Sequence, residues 1–331
     1  MTLLLSSIRS STEENSKGVR KITELSSFSD IDSALIIHDK INRKSFLNLN
    51  DCIFNQSHVE KLQKIISKFT ENIDLIALGY TGAGPFPQTY FDLNSERDML
   101  VEKANIKKKQ FFERYLKYTH SFPSTYHLPF AGEYILGGKL VELNKYRGVS
   151  DAFEVTEFDN KALVFNAGGY INLVNNNIVD IRSEKHPQDD LTKRLEEIKV
   201  KKLDYEIDFN LTCDKINFLR LLKKASSNAL RKSELQEQYY FIFSITENDQ
   251  VIKRFLCNCS DAEITELNLR EEIKLDFYSE IIIDYRYLFG LLTTVYHWNN
   301  AEVGSLYFTK RNPVDNYNHQ ASRFLNFFSI A

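Results

Sequence analysis

Ile73-Asp74-Leu75-Ile76-Ala77-Leu78 is a continuous apolar strand that stops at a loop with five Gly or Pro residues in nine, Gly79 to Pro87. This junction constrains the fold more than any other stretch of the chain. Loops at the carboxyl ends of sheet strands are where α/β proteins commonly bind ligands. Glycines in such a loop permit positive φ and close approach of backbone to a ligand. Gly82 and Gly84 are therefore candidate ligand-site residues. The loop has neither the G-x-G-x-x-G nor the G-x-x-x-x-G-K-S/T spacing and contains no lysine, so it does not specify a nucleotide phosphate.

The flanking elements fit a layered α/β arrangement. Residues 1–29 form a polar, Ser-rich N-terminal segment with no clear period before Ile22. Ser33 to His38 reads as the first strand, and a turn at Asp39 to Arg43 returns the chain into Ser45 to Leu49, the pattern of a hairpin. Ser57 is placed to cap a helix from His58 to Thr70, whose Val59, Leu62, Ile65, Ile66 and Phe69 share one face. A long amphipathic helix is predicted from Ser95 to His120, with Lys107 to Lys109 as a solvated basic run. A short strand, Ser124 to Pro129, leads into Phe130-Ala131-Gly132-Glu133. Strand, helix, strand, helix, strand predicts three neighbouring sheet strands covered by two helices, which is half of a larger sandwich.

From Ala152 the texture changes. Ala162 to Asn166 and Tyr170 to Val174 read as short strands around Gly168-Gly169, and Leu191 to Lys202 as a charged connecting helix. Asp214 to Leu230 is amphipathic. Tyr239 to Thr246 and Val251 to Cys257 form an apolar hairpin about Asn248-Asp249. Ile281 to Ile283 leads into a helix from Tyr285 to Trp298, then a strand from Ser305 to Thr309. The expected organisation is a partial α/β domain over 30–155, linking strands and a helix over 156–205, and a C-terminal α+β domain over 206–331.

Composition narrows the classes of function. The 331 residues are 43% hydrophobic and 26% charged, ordinary for a folded protein, and too many for one core. A net charge of -3 argues against nucleic acid held by bulk electrostatics. The 24 Phe and 17 Tyr read as packed-strand residues. Cys52, Cys213, Cys257 and Cys259 are too scattered for a disulfide framework, and a strand would turn Cys257 and Cys259 to the same face. No apolar run reaches membrane-spanning length and no secretory signal is visible, so the cytoplasm is the default compartment.

Three blocks carry a resemblance. Phe46-Leu47-Asn48-Leu49-Asn50-Asp51-Cys52 resembles the strand that delivers the metal-bridging aspartate in metallo-β-lactamase-fold proteins. Its Leu-Asn-Leu-Asn-Asp-Cys form is similar to the branch containing CMP-N-acetylneuraminate hydroxylase. Asp74 to Pro85 resembles that branch's strand and Gly-rich loop, and Leu128-Pro129-Phe130-Ala131-Gly132-Glu133-Tyr134 its Pro-Phe-Ala strand end. The blocks stand in family order and spacing. The tail Tyr296-His297-Trp298-Asn299-Asn300-Ala301-Glu302-Val303-Gly304 also resembles the branch's C-terminal region. The resemblance implies that residues 30–155 are the second half of a metallo-β-lactamase fold. The family's His-x-His-x-Asp-His motif is absent: no two of His38, His58, His120, His127, His186, His297 and His319 form His-x-His.

The resemblance makes Asp51 a candidate metal-bridging remnant, with His127 a second candidate ligand. A zinc site needs three or more protein ligands, so Asp51 alone makes none. Gly82, Gly84, Phe130, Gly132, His297 and Trp298 complete the candidate site residues, the last pair because the only Trp sits beside a histidine and two amides. Three functional readings stay open. In the first, the chain is a truncated or divergent member of the family without autonomous metal catalysis. It would then pair through its apolar inner face with a chain carrying the missing half, or with a second copy. In the second, it is an active hydrolase or oxygenase that rebuilds a metal site from Asp51, His38, His58 and His127. In the third, it is a small-molecule binding module that uses the Gly-rich loop, for a sugar nucleotide or other glycan precursor. No cofactor is expected for the isolated chain, and zinc or iron only when a complementary half is supplied. Neither a nucleic-acid nor a membrane partner is expected.

Overall fold

The computed structural model describes residues 6–9, 33–50, 52, 54–130, 132, 134–233, 235, 237–314 and 318–331. Asp51, Ala131 and most of the polar N-terminal segment lie outside these residues. The chain divides into two compact units. The first comprises residues 1–82, 105–134 and 148–191; the second comprises 83–104, 135–147 and 192–331. The expected boundaries near 155 and 205 follow the order of the chain. The units do not, because 83–104 and 135–147 pack with the C-terminal residues.

In the first unit, β1 (Ser6–Arg9), β2 (Ser33–Asp39) and β3 (Lys44–Asn48) run antiparallel in succession. The turn between β2 and β3 is closed by Asp39, whose carboxylate accepts from the Ile41 amide at 2.9 Å, and by Arg43 at φ 53. Helix α1 (Gln56–Ile66) follows, then β4 (Ile73–Gly79), helix α2 (Arg97–Ser121) and β5 (Ser124–Phe130). The sheet order is β1-β2-β3-β4-β5, with β4 parallel to both neighbours. Its apolar character follows from lying between two strands with residues of both faces buried. Leu47, Leu49, Ile76 and Leu78 share a core with Val59 and Leu62 of α1 and with Tyr115 and Tyr118 of α2. The opposite face carries Leu35, Ile37 and Phe46, half-buried, with Leu75 buried. A short hairpin of β6 (Phe165–Asn172) and β7 (Asn177–Ile181) replaces the two separate strands expected over 162–174.

Two local expectations shift. Asn55, not Ser57, caps α1: its side chain accepts from the His58 amide at 2.9 Å. Lys108 is not simply solvated, since it is paired with Glu154.

The second unit follows α3 (Gln188–Lys199) with α4 (Asp204–Asp208) and α5 (Phe218–Ser233). Its sheet then forms from β8 (Tyr240–Glu247), β9 (Gln250–Asn258), β10 (Ile264–Leu267) and β11 (Tyr278–Asp284). Helices α6 (Tyr285–Leu292) and α7 (Trp298–Val303), edge strand β12 (Phe308–Asn312) and α8 (His319–Asn326) complete it. The order is β10-β9-β8-β11-β12, with β8 and β11 parallel and the other pairs antiparallel. Asn248 and Asp249, at φ 51 and 61, form the turn expected between β8 and β9, matching the twist of the flanking strands. Phe241, Phe243 and Ile245 alternate onto one face, where α5, α6 and α8 bury them. Cys257 and Cys259 are fully buried there, and Cys257 Sγ lies 3.2 Å from Ser226 Oγ. No helix among the described residues is long and apolar enough to cross a membrane.

Candidate functional site

The second unit contains a cavity of about 330 Å³, within the range of small-ligand sites. Its floor is the face of the sheet opposite the helices, supplied by Thr246, Ile282 and Phe308. Leu140 and Leu143 form a wall from the 3-10 helix Gly138–Tyr146, which starts where Gly138 takes φ 57. That start is sterically tight: a Cβ on Gly138 would lie 2.7 Å from the Lys201 carbonyl oxygen. Leu203 and Tyr205 close the side.

One end of the cavity is polar. Two cations lie over the Tyr205 ring, with Lys139 Nζ at 5.9 Å and the Arg286 guanidinium at 5.4 Å from its centroid. Each cation faces a carboxylate. Lys139 Nζ donates to Asp249 at 3.2 Å, and Arg286 donates to Asp284 through Nε at 3.0 Å and a terminal nitrogen at 2.8 Å. Burial pushes the Tyr205 hydroxyl above its ordinary value. Burial opposes the charge on Lys139, but Tyr205 and Asp249 outweigh it and hold the ammonium above its usual range. Each cation here is paired with a carboxylate, so a neutral hydroxyl-bearing group joins the network without separating either pair.

The residues singled out in the sequence lie elsewhere. Trp298 is 3% exposed and donates from Nε1 to the Phe328 carbonyl at 2.7 Å, among Phe243, Tyr307 and Phe328. It anchors the core. His297 is exposed and starts α7, where a helix end was expected. Gly82 and Gly132 are packing positions: an added Cβ would lie 2.4 Å from the Phe111 ring and 2.5 Å from Tyr80, respectively. Gly84, at φ 127, serves backbone conformation. Phe130 is exposed at the end of β5. None of these lines the cavity. Its own residues carry no shared motif, although Asp249 of the expected turn and the expected strands that hold Thr246, Ile282 and Phe308 contribute to it.

The metal candidates are engaged differently. His127 Nδ1 lies 2.7 Å from Asp159 Oδ2, which also accepts from the Tyr115 hydroxyl at 2.8 Å. The other oxygen of Asp159 accepts from the Lys161 amide at 3.0 Å. His38 Nδ1 is 2.9 Å from Ser45 Oγ, and the His58 ring meets Phe54 edge-on. Asp51 lies outside the described residues. Among the described residues no three His, Cys, Asp or Glu side chains come together to hold a metal ion.

No family model matches the chain, and no curated protein matches it. Among solved structures, sterol carrier protein-2 like-3 from Aedes aegypti aligns at 14% identity and a TM-score of 0.26, covering 32% of this chain and 91% of that one. The apo form of sterol carrier protein 2 from Yarrowia lipolytica aligns at 12% identity and a TM-score of 0.22, covering 38% and 95%. Superpositions this loose carry no functional information.

Proposed function

We propose that this chain is a small-molecule binding module whose ligand occupies the cavity of the second unit. The observation that carries this reading is the cavity's composition: leucines and Phe308 along its body, and a charge-balanced polar end at Tyr205, Lys139 and Asp249. Such a lining suits a neutral molecule with hydroxyls at one end and an apolar surface at the other, which a glycan precursor or a glycoside provides. Hexyl β-D-glucoside is a probe of that shape. Leu143 is 2% exposed, so Leu143→Phe fills the space beside it. The variant is expected to bind the probe at least about tenfold more weakly than the natural chain, by calorimetric titration, because one ring displaces several methylenes of contact. No saturable binding to the natural chain, or equal binding to the variant, removes the reading.

A second reading concerns the first unit, as a partial metallo-β-lactamase-like layer without a metal centre of its own. The adjacency of β3, β4 and β5 in one parallel set, in the order of the resembling blocks, supports it. The chain is expected to retain well under one equivalent of zinc or iron after extensive dialysis, by elemental analysis. Stoichiometric metal that Asp51→Ala abolishes would restore the active-enzyme alternative.

A further inference from the structure

Strand alternation separates a second, smaller cup from that cavity. Ser279 and Ile281 of β11 and Thr309 of β12 face the cup, whereas Ile282 and Phe308 face the cavity, so the two lie on opposite faces of the same sheet. The cup measures about 30 Å³, room for one water-sized group. One of its polar residues is unsatisfied, and a second has no protein partner among the described residues. Thr309 is 5% exposed and its hydroxyl has no hydrogen-bond partner. The half-buried Glu302 carboxyl makes neither a hydrogen bond nor an ion pair among the described residues. Tyr239 and Ser279, also in the wall, are bonded to each other at 2.8 Å.

A buried hydroxyl without a partner is costly, and the Glu302 carboxyl in the same cup is free to accept from a donor placed there. Burial pushes the Glu302 carboxyl above its ordinary value, and Arg311 only partly offsets this. Arg311 itself donates to the Tyr90 hydroxyl at 2.7 Å and lies 4.4 Å from that ring's centroid, which anchors it in the wall. We infer that the cup receives a hydrogen-bond-donating group of a second ligand, a primary ammonium or a hydroxyl, held jointly by Glu302 and Thr309. A carboxylate accepting from a charged donor makes one of the stronger hydrogen bonds available, and the opening admits only the tip of a molecule.

The test uses the full chain with glutamate labelled at the carboxyl carbon. Glu302→Gln assigns the Glu302 signal; should that variant not fold, its perturbation by Thr309→Val carries the assignment. Methylammonium chloride or methanol is then added, with sodium chloride at equal ionic strength as control. A saturable shift of the Glu302 signal is expected with at least one probe, weakened roughly fivefold or more in Thr309→Val, which keeps the shape and loses the hydroxyl. Response to methylammonium alone assigns an amine-bearing ligand, and response to methanol alone a hydroxyl-bearing one. No saturable response to either means the cup holds water only and overturns the inference. A response that Thr309→Val leaves unchanged also overturns it.

Discussion

Replacing Asp159 with alanine is expected to destabilise the first unit by about 3–5 kcal/mol, because it strands two buried groups at once. Tyr115 is fully buried and its hydroxyl donates to Asp159, as does the ring of His127, itself 5% exposed. Tyr115→Phe removes only one of these bonds and is expected to cost about 1–2 kcal/mol. Guanidinium unfolding, read by hydrogen exchange in peptides from β4 and β5, measures both. A change within about 1 kcal/mol for Asp159→Ala would mean the network is incidental.

The same network sets a pH dependence. Burial alone would raise the Asp159 carboxyl, but the bonds from His127 and Tyr115 outweigh it and hold it below its ordinary value. The folded value is thus below the unfolded one, so the unfolded state binds more protons across the interval between them. The contribution is fully present above the unfolded value near about 4 and is lost as pH falls through the lower folded value. The stability gap between the natural chain and Asp159→Ala is therefore expected to narrow on acidification below about pH 4.

Trp298→Ala is expected to cost the second unit about 3–5 kcal/mol, the range for removing a large buried aromatic. Its indole fills the space between Phe243, Tyr307 and Phe328 and satisfies the Phe328 carbonyl. Trp298→Phe keeps much of the volume and orphans that carbonyl, for an expected loss of about 1–3 kcal/mol. Because Trp298 is the only tryptophan, unfolding of both variants is followed by circular dichroism. Affinity for hexyl β-D-glucoside is expected to stay unchanged in Trp298→Phe. A weaker affinity at full stability would return Trp298 to the ligand site that its neighbours His297, Asn299 and Asn300 suggested.

What was legible in the sequence was local. Ile73 to Leu78 announces a strand, and Asn248-Asp249 the turn of a hairpin, as found. Both are read from contiguous residues, because side-chain sterics and short-range hydrogen bonds act there. Even so, the cap of α1 sits two residues from where it was expected, since Asn55 and Ser57 both qualify chemically and only the path of the chain out of β3 selects between them. Trp298 is ambiguous for a related reason: a tryptophan beside polar residues has the same composition in a core corner as in a binding site.

The sites themselves are tertiary. Asp159 reaches His127 across 32 residues and Tyr115 across 44. The cavity draws Leu143, Tyr205, Thr246, Ile282 and Phe308 from segments that share no period or motif. Glu302 stood in a recognisable tail, yet its unpaired carboxyl is visible only once Thr309 and Arg311 are placed around it. The sequence by itself determined the strands, helices and turns, whose causes lie within a few residues of each other. Only the tertiary structure decided where space and unpaired polar groups are left, because both are what remains after distant layers have packed.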